Sequence, residues 1–300
     1  MEENMTNNLK IGIVGGGAVG KAIAAFYHDV KIYDKYTPVD PIGVVADMDY
    51  IFVAVPTPFD EQVGKPVLAE MDDALATLSQ NLKRPGEQIV IIKSTVPPGT
   101  TYAYQEKFPS MNFIFNPEFL TEKTAVEDFA HPDKQLVGFT GKTGEFADQV
   151  MAMLPRAPYE KTMHARAAEI AKYAVNSYYA FKVIFANTFY DLCQKVGADY
   201  HLVQEALVHD SRIIDSHFDV MHGGFRGYGG KCLPKDVKTL SWHAAELFSV
   251  AGGLSKDLET LSWFAHKTSK SAKFIDVITA LNEKLLKNGS LVEIKEKVNV

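Results

Sequence analysis

The chain has 300 residues, 46% of them hydrophobic, and a formal net charge of -6, enough for two domains of ordinary size with real cores. It carries no basic run or stripe, which argues against nucleic acid as a partner, and no apolar run approaches the roughly 18 residues of a membrane span. The N-terminus MEENMTNNLK lacks a signal-peptide core and two cysteines, Cys193 and Cys232, make no disulfide framework, so a cytoplasmic protein with no membrane partner and no metal site is expected.

Lys10 to Val14 reads as a short buried strand. It runs into Gly15-Gly16-Gly17-Ala18-Val19-Gly20, followed by a helix from Ala18 to Tyr27 and a second strand from Val30 to Asp34. This is the dinucleotide-binding fingerprint in its expected context. Gly15 permits the tight turn, Gly17 lets a pyrophosphate approach, and Gly20 allows the helix to pack closely on the strand. The helix N-terminus, at Ala18 and Val19, turns the positive end of its dipole toward the phosphates. Asp34 closes the second strand about twenty residues after Gly15, where an acid accepts the ribose hydroxyls. NAD is therefore the expected cofactor in preference to NADP, and Lys35, directly after Asp34, weakens that preference.

Only Lys35 to Asp49 separates the second strand from the third. Pro38 and Pro41 discourage a full crossover helix there, so a strand and a helix of the cofactor domain are expected to be missing or reduced. Further strands are predicted at Tyr50 to Val55, Gln88 to Lys93, Asn112 to Phe115 and Gln135 to Phe139. The first two are apolar runs, as in a parallel sheet covered on both faces. They end in Pro56-Thr57-Pro58 and in Ser94-Thr95-Val96-Pro97-Pro98-Gly99-Thr100, and such strand ends are where ligands bind in open α/β sheets.

The second half is helical. His164 to Val196 contains no proline or glycine and carries Tyr173, Tyr178, Tyr179, Phe181, Phe185, Phe189 and Tyr190, the makings of a core or a subunit interface. Lys172 and Asn176 are four apart and share one face of that helix. Further helices are predicted at Tyr200 to His209, Pro234 to Leu247, Asp257 to Ser269 and Ser271 to Leu286. The fold class is α/β, a Rossmann-like doubly wound sheet followed by an all-α domain. The expected division is 1–162 for the NAD-binding domain, 163–287 for a central dimerisation and catalytic domain, and 288–300 for a flexible tail. Between the helices predicted at Tyr200 to His209 and Pro234 to Leu247, Gly229-Gly230-Lys231-Cys232-Leu233-Pro234-Lys235-Asp236 places a cysteine in a glycine-rich turn between two lysines. Nearby cations favour the thiolate, the nucleophilic form, and a reactive thiol on such a loop suggests covalent catalysis.

Several ordered motifs now carry a resemblance. They are the glycine fingerprint, Val55-Pro56-Thr57-Pro58, Lys93-Ser94-Thr95-Val96-Pro97-Pro98-Gly99-Thr100, and Asn116-Pro117-Glu118-Phe119-Leu120-Thr121-Glu122. Lys172 with Asn176, Asp210-Ser211-Arg212-Ile213, and Gly227-Tyr228 leading into the cysteine turn complete the set. From residue 10 to about residue 240 the chain resembles the UDP-glucose/GDP-mannose dehydrogenase family, the four-electron nucleotide-sugar 6-dehydrogenases. The resemblance implies NAD-dependent oxidation of the C6 alcohol of a nucleotide sugar, UDP-glucose first among them, to the uronic acid through a thiohemiacetal and a thioester on Cys232. It implies that Lys172 and Asn176 stabilise the developing alkoxide, that Asp236 and Thr95 hold a water and relay protons, and that Glu122 is the general base for thioester hydrolysis. Pro56, Thr57, Thr95 and Glu122 would join the glycine turn, Asp34 and Lys35 in holding the cofactor. Glu118, Phe119, Leu120, Lys172, Asn176, Arg212, Phe225, Tyr228 and Gly229 would contact the sugar nucleotide. The long helix would form a two-fold homodimer in which Arg212 reaches the other subunit's substrate.

The departures matter too. The family's third, nucleotide-binding domain is expected to be absent, and the loop from Arg212 to Cys232 is a few residues longer than is usual for the family. A phosphate-contacting tyrosine of the family is replaced near His217 or Phe218, with His222 and Arg226 as candidate substitutes. Two other readings remain open. One is a two-electron β-hydroxyacid dehydrogenase, which also pairs a Lys and an Asn four apart but needs no thiol. The other is a non-catalytic or partner-dependent remnant that binds NAD.

Overall fold

A computed structural model of the protein describes residues 9–249 and Glu283, apart from the side chains of residues 244, 245 and 247–249. The helix expected at 257–269, that at 271–286 save Glu283, and the tail at 288–300 lie outside the described residues. In chain order the elements are β1 (Ile11–Val14), α1 (Ala18–Phe26), β2 (Lys31–Tyr33), α2 (Ile42–Val45), β3 (Tyr50–Val53), β4 (Phe59–Asp60), β5 (Lys65–Pro66) and α3 (Ala69–Asn81). Then come β6 (Ile89–Ile92), α4 (Thr100–Lys107), β7 (Asn112–Phe115), α5 (Ala125–Ala130), β8 (Lys134–Phe139), α6 (Ala147–Met153), β9 (Tyr159–His164), α7 (Ala165–Val196), α8 (Tyr200–Val208) and α9 (Leu233–Ser249). The chain divides into two compact units, Met1–Lys172 and Tyr173–Val300.

The first unit is built on a seven-stranded sheet in the order β2-β1-β3-β6-β7-β8-β9. Every residue of β1, β3, β6 and β7 is buried. Successive side chains of a strand point to opposite faces, so these apolar runs supply two cores at once. Ile11, Ile13, Phe52, Ile91 and Ile114 pack on one side with Ala22 and Ile23 of α1. Val14, Ile51, Val53, Val90 and Phe113 pack on the other with Met71, Leu75 and Leu78 of α3. This is the Rossmann-like doubly wound arrangement expected from the sequence.

The short segment after β2 behaves as the two prolines dictate. Pro41 is the N-cap of α2, a single turn, and among the described residues no strand lies beyond β2 at that edge. The small antiparallel pair β4-β5 was not anticipated, nor were two features of the main sheet. β8 pairs antiparallel to β7, and β9 adds a parallel edge strand beside β8. The sequence of β9, YEKTMH, is polar and largely unburied, so it lacks the apolar signature of the central strands.

In the second unit, Ala180, Val183 and Ile184 of α7 pack with Tyr228 and Val237. Further along, Ala186 and Cys193 pack with Tyr200, Phe218 and Val220. Gly197, at φ +73°, supplies the left-handed residue that ends α7. Asp199 then caps α8 by accepting from the His201 N–H at 2.9 Å. Tyr178, Phe181, Phe189, Leu192 and Val196 remain exposed on α7. At 100° per residue they fall on a single face of the helix.

Candidate active site

The glycine turn after β1 has the geometry that each glycine was expected to serve. Gly15 sits at φ +107°, and a Cβ there would come within 2.4 Å of the Ala54 carbonyl oxygen. A Cβ on Gly20 would lie 2.0 Å from the Gly15 carbonyl oxygen, so only glycine lets α1 pack this closely on β1. At Gly17 a Cβ would meet nothing within 4 Å, so the backbone faces open space. Gly17 is also the N-cap of α1, with no side chain bonded to the first-turn N–H groups. Ala18 is exposed and Val19 half-buried at this helix start. The turn thus leaves backbone donors and room for an anion at a helix N-terminus, and the residues fit a dinucleotide.

Asp34 follows β2 directly. Its Oδ2 accepts the Gly16 N–H at 2.7 Å, and its Oδ1 accepts the N–H groups of Tyr36 and Thr37 at 2.9 and 2.8 Å. The Gly16 bond, helped by the other two and by Lys21, outweighs partial burial and holds the carboxyl below the usual carboxylate range. Lys35 turns toward α3, where it pairs with Asp73 and Glu70. Along the strand ends, the Thr57 hydroxyl donates to the Thr95 carbonyl oxygen at 2.7 Å. Both residues are buried, while Pro56 is exposed.

A second cluster in the same unit joins the ends of β6 and β7 to the start of α7. Lys172 is buried and lies 3.1 Å from Glu118 Oε1. Glu118 Oε2 accepts the Leu120 N–H at 2.7 Å, which fixes the loop that carries Phe119. The Phe119 ring lies 5.2 Å from the Lys172 ammonium and 4.2 Å from that of Lys134. Burial pushes the Glu118 carboxyl up, but Lys172, the Leu120 N–H and Lys93 together outweigh it and hold it below the usual range.

Lys93, at the end of β6, is 3% exposed and donates to Asn116 Oδ1 at 2.8 Å. Asn116 in turn donates to the Leu136 carbonyl at 2.8 Å. With a neutral amide as its acceptor, Lys93 is pushed down to about 7 by burial, against the pull of Glu118 and with the push of Lys172. Glu169, one turn before Lys172, is fully buried. It accepts from the N–H groups of Gly99 and Thr101 and from the Thr101 hydroxyl, which ties α7 to the N-terminus of α4. Burial, opposed by those bonds, pushes the Glu169 carboxyl up.

In the second unit the Asp236 N–H bonds to the Cys232 carbonyl at 2.9 Å. Cys232 therefore flanks the N-terminus of α9, and its thiol is exposed. The positive end of a helix dipole favours an anion at such a position. Asp236 is 1% exposed and accepts from Asn176 Nδ2 and Lys235 Nζ, each at 2.5 Å. A Cβ on Gly229 would lie 2.4 Å from the Phe225 ring, so the ring lies against bare backbone. Tyr228 is buried in the apolar cluster around Val183.

The structure thus brings Glu118, Phe119, Leu120 and Lys172 together in one unit, and Asn176 with Asp236 in the other. Glu122 lies in an exposed turn, and Glu118 is the carboxylate bonded to Lys172. Arg212 is exposed and forms a two-point pair with its own neighbour Asp210. One expectation is corrected. Arg226 is no free phosphate ligand, because its guanidinium is committed to Asn187 and Asp191 of α7 and lies 4.9 Å from the Tyr190 ring. His222 stays exposed beside Asp219. Lys93, Asn116 and Glu169 were not singled out from the sequence. For Glu169 a signal exists: Glu169, Lys172 and Asn176 recur at helical spacing along α7, and all three are buried.

Comparison with known proteins agrees with this geometry. Residues 36–154 match the NAD binding domain of the UDP-glucose/GDP-mannose dehydrogenase family, and residues 166–251 match its central domain. A UDP-glucose 6-dehydrogenase of Rhizobium meliloti is 37% identical over 207 residues, covering 65% of this chain and 46% of that protein. One from Haloferax volcanii is 30% identical over 283 residues, covering 77% and 64%. A UDP-glucose dehydrogenase structure from Pyrobaculum islandicum superposes with a TM-score of 0.72 at 26% identity, over 91% of this chain and 68% of that one. The chain spans about half the length of several curated relatives it matches. Carrying matches to both domains in order, together with the glycine turn and the cysteine loop, the protein belongs to the UDP-glucose/GDP-mannose dehydrogenase family.

Proposed function

We propose that the protein oxidises the C6 alcohol of a nucleotide sugar, UDP-glucose by analogy with its relatives, through the aldehyde to the uronic acid. The observation that carries the proposal is the exposed Cys232 thiol at the N-terminus of α9, followed by a buried Asp236 bonded to Asn176. A two-electron oxidation has no use for such a thiol. NAD, held by Gly15, Gly17, Gly20 and Asp34 with Ala18, Val19, Pro56, Thr57 and Thr95 nearby in the fold, supplies the hydride acceptor for both oxidation steps. The Cys232 thiolate adds to the aldehyde carbon to give a thiohemiacetal, whose oxidation leaves a thioester. Water then attacks the thioester, releasing the acid and regenerating the thiol. Lys172 and Asn176 supply the cation and the N–H donor for the oxyanion of these steps. Asp236 and Thr95 position water. Glu118, bonded to Lys172, joins Glu122 as a candidate base for hydrolysis.

The same reading makes the protein a homodimer. The exposed seam from Tyr178 to Val196 supports it, since an apolar helix face is normally buried. In such a dimer Arg212 is free to exchange Asp210 for a substrate of the other subunit. The test is stoichiometry: each UDP-glucose consumed should yield two NADH and one uronate. Cys232→Ser should yield no acid. One NADH with an aldehyde product, or full uronate yield from Cys232→Ser, would sink the proposal.

A further inference from the structure

We infer that Glu70 and Asp73 of α3 set the dinucleotide selectivity by holding the Lys35 ammonium away from the 2′ position of the adenosine ribose. The inference rests on the cofactor reading above. A lysine directly after the ribose-binding acid is, on its own, well placed to attract a 2′-phosphate. The fold disposes of that cation. Three backbone bonds pin Asp34, from Gly16 on one side and from Tyr36 and Thr37 on the other. The turn they form directs the two side chains after Asp34 toward the first turns of α3. Lys35 Nζ lies 3.0 Å from Asp73 Oδ2 and 3.8 Å from Glu70 Oε2. The Tyr36 hydroxyl donates to Glu70 Oε1 at 2.6 Å, which fixes that carboxylate, and the Lys35 ammonium lies 5.6 Å from the centre of the Tyr36 ring.

The placement of the two acids follows from the packing of α3. Met71, Ala74, Leu75 and Leu78 are buried, so Glu70 and Asp73, three residues apart, share the outward face. Acids near the start of a helix are also favoured by its dipole. That accounts for Glu70, in the first turn of α3, but not for Asp73, nor for why both face Lys35. The result at this corner is three carboxylates, Asp34, Glu70 and Asp73, with Lys35 engaged by the last two and Lys21 acting on Asp34. A 2′-phosphate carries nearly two negative charges at neutral pH, and it would meet repulsion from these carboxylates with Lys35 already engaged. The Lys35–Asp73 pair is half exposed on both sides, so it contributes little to stability. Its effect belongs in the ratio of two affinities.

The test is titration calorimetry of the full chain with NAD+ and with NADP+, which reads binding without turnover. Glu70→Gln combined with Asp73→Asn should raise the affinity for NADP+ relative to NAD+ by roughly tenfold, equivalent to ~1.4 kcal/mol. Adding Lys35→Ala to that pair should return the ratio to the native value. Lys35→Ala alone should change it by less than about twofold, because the cation is already engaged. An unchanged ratio in the double variant, or a gain that survives the loss of Lys35, would overturn the clamp while leaving the cofactor reading intact. A native protein that binds neither dinucleotide would overturn both.

Discussion

Replacing Lys93 by Met tests the electrostatics of the cluster around Lys172 directly. Lys93 is 3% exposed, and its acceptor is the neutral amide of Asn116. Burial takes it from 10.5 to about 7 in the folded protein. Between those values the unfolded chain binds the proton that the folded protein has lost, so stability must rise with pH across this window. Below about pH 7 the full cost of the buried ammonium applies, and above the unfolded value it vanishes. Linkage gives a rise of about 2 kcal/mol between roughly pH 7.5 and 9.5. Lys93→Met removes the titrating group with a side chain of similar reach. It also leaves Asn116 Oδ1 without its donor, a cost of about 1–3 kcal/mol that does not depend on pH. Urea denaturation of both proteins at fixed ionic strength, in half-unit pH steps, separates the two effects. The difference between the curves should grow by about 2 kcal/mol in favour of the native protein as pH rises, because other groups that titrate in this range are common to both. Parallel curves would refute the claim that burial has lowered Lys93.

Other expectations follow from the same geometry. Glu118→Gln removes the carboxylate from a buried ion pair and leaves Lys172 and Lys93 facing each other; a stability loss of about 3 kcal/mol is expected at neutral pH, and one below about 1 kcal/mol in denaturant titrations would show that the pair is solvated. Because the Glu118 carboxyl is held low in the folded state, its contribution is complete above the ordinary glutamate range and is lost as pH falls through the folded value, so the variant should show a flatter acid limb. Leu192→Glu, on the exposed seam of α7, should dissociate the proposed homodimer without loss of helix content. Native protein that sediments as a monomer at micromolar concentration would refute the assembly.

Where local chemistry fixes the geometry, the sequence was a good guide. Gly15 and Gly20 have no alternative residue, because a Cβ would strike backbone oxygen at both. β1, β3, β6 and β7 announce themselves as unbroken Ile, Val and Phe runs because both their faces are covered. The two prolines after Lys35 correctly implied a reduced crossover, observed as one turn. β9 was invisible for the opposite reason: an edge strand can be polar, and YEKTMH carries no alternation strong enough to show its pairing. The paired partners were harder still. Arg226 is bonded to groups 35 and 39 residues away, and nothing in its neighbours GFRGY distinguishes a structural arginine from a phosphate ligand.

The lysines show most clearly what spacing does not determine. Lys35, Lys93, Lys172 and Lys182 carry the same side chain, and each sits beside a motif or on the long helix. Lys35 is exposed and paired with two carboxylates. Lys93 is buried against an amide, Lys172 is buried against a carboxylate, and Lys182 is buried against the Ile214 carbonyl and the Ser216 hydroxyl. Burial lowers both Lys93 and Lys182, and the acceptors that the three buried amines meet differ. Burial against an amide lets Lys93 surrender its proton near neutrality, whereas Lys172 faces the Glu118 carboxylate at 3.1 Å. Two lysines within one cluster therefore meet different acceptors, and that division arises from Asn116 and Glu118, two residues of a single short loop after β7.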